Sequence, residues 1–137
     1  MYKSKVTKTA LIISSLLCAS QGVAAPVNIN NASFEDSFNS WDDAEPSSVS
    51  GVSYDGSKSA KLSGTGGRLG QDVSVIENTD YVLTAYVKGN GSVGVNDGSQ
   101  TYSKGITGAS DWTKATVSFN SGSNTTVEIY AKYKDAE

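Results

Sequence analysis

The chain has 137 residues, 11 Lys and Arg against 14 Asp and Glu, a formal net charge of −3, one cysteine and no histidine. The missing imidazole removes the usual general base and the commonest transition-metal ligand, so histidine-based hydrolytic triads and zinc sites are disfavoured. The acidic balance argues against nucleic acid as a partner.

Taken in chain order, the first feature is a basic start at Lys3, Lys5 and Lys8, followed by an apolar run from Ala10 to Ala19. That run is too short to span a bilayer. Small residues then gather at Gly22, Ala24 and Ala25, and Pro26 favours a cut after Ala24. The pattern predicts a removed signal peptide over residues 1–24. Residues 25–137 are then a secreted domain, extracellular or periplasmic, with no membrane attachment after cleavage. Cys18 lies inside the apolar run, and Leu17 before it is too large for a lipoprotein signature. The processed chain therefore has no disulfide, and its stability rests on a packed core, with help from a bound ion where one is held. Losing Lys3, Lys5 and Lys8 moves the net charge from −3 to −6.

Beyond residue 45 nearly every segment alternates with period two and is broken by Gly, Asn, Ser or Asp. Strands are predicted at Ser48–Tyr54, Ser59–Ser63, Arg68–Val75, Tyr81–Lys88, Ser92–Asn96, Thr113–Asn120 and Thr125–Tyr133, with turns at Asp55-Gly56, Gly89–Gly91 and Asp97-Gly98 among others. Many short strands at this spacing predict an all-β, antiparallel two-sheet β-sandwich. In YVLTAYVKG, Tyr81, Leu83, Ala85 and Val87 share one face, and Val82, Thr84, Tyr86 and Lys88 the other. TTVEIYAKY divides likewise, with Val127, Ile129, Ala131 and Tyr133 inward and Thr126, Glu128, Tyr130 and Lys132 outward. Ala115, Val117 and Phe119 form a third inward set.

Two strands thus carry Tyr-x-Lys outward, Tyr86 with Lys88 and Tyr130 with Lys132. If both lie in one sheet, aromatic plates stand beside ammonium groups, an arrangement suited to sugar rings and their polar substituents. Arg68 adds a group able to take a uronate carboxylate bidentately. Ligand-binding residues are therefore expected at Arg68, Tyr86, Lys88, Tyr130 and Lys132, while Trp112 in SDWTK reads as a core or rim anchor. The carboxylates offer no marked glycosidase pair, since Asp42 and Asp43 point to opposite faces of a strand and nothing distinguishes Glu35, Asp36 or Glu128 as acid or base. No catalytic residue is assigned.

The stretch NASFEDSFNSW, with Asn31, Ser33, Phe34, Glu35 and Trp41, resembles the start of many carbohydrate-binding modules of the galactose-binding-like jelly-roll type. YDGSKSAKLSG, GRLGQDVSV and NTDYVLTAYVKG continue the resemblance over nearly all of residues 25–137. Within that group the chain looks similar to modules attached to secreted alginate lyases. The resemblance implies non-catalytic binding of polysaccharide that keeps a covalently linked catalytic domain near an acidic glycan such as alginate. It also implies a structural calcium held by Glu35, with Asn31 and the Gly56 to Ser59 turn, Ser59 included, as further oxygen donors. Phe34 and Trp41 are then packing residues. The family pattern continues past the equivalent of TTVEIYAKY into a closing strand, whereas this chain stops at KDAE. Either the chain is a fragment of a longer secreted protein lacking that last strand, or the sandwich closes differently. Two other functions fit the composition: a structural or adhesive module making protein contacts, and a polysaccharide-cleaving enzyme using a carboxylate pair or a tyrosine base.

Overall fold

The computed structural model describes residues 11–20 and 27–133. Among them the regular structure is all strand: β1 Leu11–Ser20, β2 Asp42–Ala44, β3 Ser47–Ser50, β4 Ser59–Leu62, β5 Arg68–Ser74, β6 Asp80–Asn96, β7 Thr101–Asn120 and β8 Thr126–Tyr133. Every pairing is antiparallel.

The long strand β6 organises the rest. One edge pairs with β7 from Asp80↔Asn120 to Asn96↔Thr101. The opposite edge carries β1 against Tyr81–Lys88 and β8 against Gly91–Asn96. Beyond β8 lie β5 and β2; beyond β1 lie β4 and β3. Register shifts flank Gly89, whose φ of 97° a side chain would strain, and there the β6–β7 hairpin bends. Tyr102 and Phe119 measure the bend. They are seventeen positions apart on β7, about 55 Å if extended, yet their ring centroids are 6.1 Å apart. The two halves of the hairpin therefore face each other across the core, one belonging to the layer β2-β5-β8-β6-β7 and the other to the layer β3-β4-β1-β6-β7.

The expected alternation holds. Leu83, Ala85, Val87, Val93, Val95, Ala115, Val117, Phe119, Val127, Ile129 and Ala131 are all buried in one cluster with Leu62 and Leu69. Burying each large aliphatic side chain contributes roughly 1.5–3 kcal/mol.

Several elements differ from the sequence expectation. The strand expected over Ser48–Tyr54 is the shorter β3, Ser47–Ser50, with Tyr54 in the loop that follows, and Asp42–Ala44 adds a short strand that alternation did not mark. Tyr81–Lys88 and Ser92–Asn96 are one strand, because the glycines at 89 and 91 bend the ladder without ending it. Residues 101–112, outside the strands expected from the sequence, complete β7, held by backbone pairing with β6. Leu11–Ser20, the apolar stretch of the expected export signal, form β1 with eight register pairs to β6 and three to β4, and Ile13 is fully buried. The rest of that expected signal, including Ala24, lies outside the described residues.

Leu83 has no solvent exposure. Leu83→Ala is expected to cost about 2–5 kcal/mol, the range for a buried leucine truncation, read as a lowered urea midpoint with an unchanged m-value.

Candidate functional site

The two expected Tyr-x-Lys pairs do not share a surface. Tyr130 and Lys132 stand on the outer face of the layer containing β5 and β8, and Tyr86 and Lys88 on the outer face of the opposite layer. The expectation of one combined patch is corrected by the bend in β6, which keeps even-numbered residues outward but turns its two halves to opposite sides.

On the β5–β8 layer, Gly70, Tyr130 and Gly94 lie in register on neighbouring strands. The Tyr130 ring packs over Gly94 and is only 5% exposed, while the Arg68 and Glu128 side chains lie over Gly70. A Cβ at Gly94 would stand 2.6 Å from the Tyr130 hydroxyl, so the close approach requires glycine. Burial raises the Tyr130 phenol pKa, partly offset by Ser103 and Arg68. The Arg68 guanidinium covers the ring at 5.2 Å and forks onto Glu128, Nη1 to Oε2 at 3.1 Å and Nη2 to Oε1 at 2.5 Å. Arg68 is therefore committed to an internal carboxylate, and Tyr130 is a packed ring instead of a stacking plate. Lys132 is exposed beside them.

On the opposite face Tyr54, from the loop between β3 and β4, lies flat on Tyr86. Their centroids are 3.7 Å apart with planes 8° from parallel, and Tyr54 is 48% exposed. Interaction with the Tyr86 hydroxyl raises the Tyr54 phenol above its ordinary pKa. Trp112 meets Tyr54 at 6.3 Å and 64°, so two aromatic planes form a corner. Trp112 sits where β7 bulges: Ala109 pairs with Gly89 and Thr113 with Val87, and such an insertion re-aims side chains. Lys114 is directly opposite Tyr86, and Lys88 follows two positions along the same face. Lys61 reaches this face through the pairs Lys61↔Ile12↔Lys88. None of these three lysines makes an ion pair among the described residues, while Asp55 and Asp111 flank the rings in sequence. Of the expected ligand residues, Tyr86 and Lys88 are thus brought together. Tyr54 and Lys114 were not singled out, although YDG marked an exposed turn and alternation placed Lys114 outward.

NASFEDSFNSW forms a tight packed loop. Phe34 is fully buried and its ring lies 5.2 Å from that of Trp41, as expected for packing residues. Phe34 has a φ of 62°, a strained backbone for a bulky side chain that its burial offsets. Trp41 Nε1 donates to the Asn31 carbonyl at 3.1 Å. The Asn31 amide donates to the carbonyls of Asp36, Ser37 and Asn39, and its Oδ1 accepts from the Asp36 N–H.

These residues do not fit the implied calcium. Glu35 Oε1 accepts the Ser57 N–H at 2.7 Å and the Lys58 N–H at 3.1 Å, and Oε2 accepts the Ser57 hydroxyl at 2.6 Å. Lys58 Nζ donates to the Glu35 carbonyl at 2.8 Å, placing a fixed positive charge there. Ser59 is buried and donates to the Val52 carbonyl. Calcium takes six to eight oxygen ligands, and among the described residues no three His, Cys, Asp or Glu are grouped to hold a metal.

Two grooves lie among the described residues. One of about 510 Å³ is lined by Asp80, Tyr81, Tyr102, Ser118, Phe119 and Asn120. The other, about 350 Å³, is bordered by Asp72, Asn96, Asp97 and Glu128.

Residues 28–137 match the carbohydrate binding domain family CBM_4_9, and the chain belongs to that family. The family is one of binding domains, which supports carbohydrate binding without catalysis. No curated protein matches the chain.

Gly94→Ala is expected to destabilise the protein by displacing the Tyr130 ring, measured as a fall in the thermal midpoint, with Tyr130→Phe much milder. The Ser57 and Lys58 donors lower the Glu35 pKa, the Ser57 side chain contributing most. Because the folded value lies below the unfolded one, this anchoring is present above the ordinary carboxylate range and is lost as pH falls through the folded value. The Ser57 and Lys58 amide resonances should titrate together below the pH typical of a free glutamate, and Glu35→Gln should abolish that transition.

Proposed function

We propose that the domain holds an acidic polysaccharide, such as alginate, on the Tyr54–Tyr86–Trp112 corner, and that it keeps a linked polysaccharide-degrading enzyme near that substrate outside the cell. The observation that carries this reading is the exposed Tyr54 plate stacked on Tyr86, with Trp112 at an angle and Lys88 and Lys114 on the same face. A pyranose ring presents C–H groups to an aromatic face, and Tyr54 offers its outer side for such a contact. The lysines supply mobile point charges for uronate carboxylates, with little orientation demanded of the ligand. An open corner suits an internal stretch of polymer better than a chain end. Family membership supports the glycan; the lysines support its acidic character.

A second location is favoured by one observation. The groove beside Tyr102 joins aromatic surface to the Asp80–Asn120 pair, in which Asn120 Nδ2 donates to Asp80 Oδ1 at 2.8 Å. Its concave shape would suit a chain end.

Affinity electrophoresis in gels with and without alginate separates these readings. Tyr54→Ala and Trp112→Ala should each weaken retardation at least tenfold, and Tyr102→Ala should leave it unchanged. The reverse pattern moves the site to the groove. Lys88→Ala with Lys114→Ala should weaken alginate binding several-fold and flatten its salt dependence. Equal mobility of the unmodified protein with alginate and with a neutral glucan would overturn the preference for acidic chains.

A further inference from the structure

Tyr54 and Tyr86 are far apart in the chain, yet their rings lie face to face, with centroids 3.7 Å apart and planes 8° from parallel. At that separation the rings touch with little sideways offset. Their hydroxyls are hydrogen-bonded to each other, so both rings point the same way. Each ring carbon beside a hydroxyl therefore faces its counterpart on the other ring. The remaining described tyrosines are placed differently: Tyr81 and Tyr102 pack on Phe119, and Tyr130 and Tyr133 are buried.

The carbons beside a phenol hydroxyl are where a tyrosyl radical carries much of its unpaired electron, and two such carbons join when two radicals meet. Tyr54 is half exposed and so is reached by an oxidant in solution. Loss of one electron and one proton makes Tyr54 a radical. The Tyr86 hydroxyl hydrogen then moves along the hydrogen bond to the Tyr54 oxygen, which leaves the radical on Tyr86 and frees Tyr54 for a second oxidation. The paired radicals form one Cε–Cε bond, and each ring regains aromaticity by passing the hydrogen on its joined carbon to its oxygen. Two electrons and two protons leave in all, and they reduce one hydrogen peroxide to two waters. Because the rings are already in contact, this joining is a step within one molecule and outruns the encounter of two chains. Rings joined at their edges no longer lie face to face, so one must slide. Tyr54 rides on the exposed connection between β3 and β4, while Tyr86 is fixed in β6.

We propose that Tyr54 and Tyr86 are a site of oxidative cross-linking, joined into an intrachain dityrosine by a haem peroxidase that consumes hydrogen peroxide. The link staples the β3–β4 connection to β6. The proposal stands whether or not a glycan is held at this corner.

The test treats the full chain with a haem peroxidase and limiting hydrogen peroxide. Dityrosine fluorescence should appear in protein that still runs as a monomer on a denaturing gel, with an intact mass lower by two hydrogens. Proteolysis should release a peptide pair joined through Tyr54 and Tyr86. The thermal midpoint should rise, because the link constrains the unfolded chain as a disulfide does. Tyr54→Phe and Tyr86→Phe keep the stacked rings but each lacks one hydroxyl, and each should lower the monomer fluorescence at least tenfold. Tyr102→Phe should leave it unchanged. The proposal is overturned if dityrosine forms only between chains, if Tyr54→Phe retains the monomer fluorescence, or if oxygen is added to Trp112 and no tyrosines are joined.

Discussion

The antiparallel register of β6 with its neighbours is the constraint on which the rest of the structure depends. A strand of seventeen residues commits every second side chain to one side, and here the inward series runs from Tyr81 through Leu83, Ala85 and Val87 to Val93 and Val95. A straight strand of this length would leave much of that series facing water. Bending at Gly89 brings the two halves over one another, so a single hairpin supplies inner surface to both layers. The cost is a local break in the ladder at Gly89 and Gly91. The gain is a core closed by Tyr81, Tyr102 and Phe119, with Tyr81 stacked on Phe119 and Tyr102 tilted against it along the fold of the hairpin.

The same bend decides what the outer surfaces can do. Tyr86 and Tyr130 have equivalent neighbours in sequence, each followed two residues later by lysine, yet their surroundings differ in kind. Tyr130 lies between two glycines beneath an arginine that is neutralised by Glu128, so its ring stabilises the layer. Tyr86 has Tyr54 on its face and lysines to the side, and the stack stands open to solvent. A shared short motif is thus divided into a packing element and a presented surface by what lies across the neighbouring strands.

The all-β class and the inward and outward positions of β6, β8 and the C-terminal half of β7 were legible in the sequence, because period-two alternation depends only on local geometry and burial. Phe34 and Trp41 were readable as packing residues for a similar reason. Residues 101–112 were not readable as strand: TYSKGITGASDW has few apolar positions, and its conformation is imposed by backbone pairing to β6. The Tyr54 stack escaped notice because it joins a loop to a strand 32 positions away, a contact no local pattern encodes. Nor could alternation show that Glu128 would claim Arg68, since that pairing depends on β5 and β8 becoming neighbours. The place of Leu11–Ser20 posed a different difficulty. An apolar segment with a basic start satisfies the demands of export and of a buried strand alike.

The clasp made by Glu35 has a bearing on recognition that its position in the opening loop conceals. Ser57 and Lys58, the residues it grips, belong to the same connection that carries Tyr54. The first loop of the domain thereby steadies the outermost ring of a platform formed far along the chain. The Lys58 ammonium, set against the Glu35 carbonyl, adds a second tie between the two loops. The corner would thus keep its shape at neutral pH and loosen in acid, as the Glu35 carboxylate takes up a proton and lets go of the Ser57 and Lys58 donors.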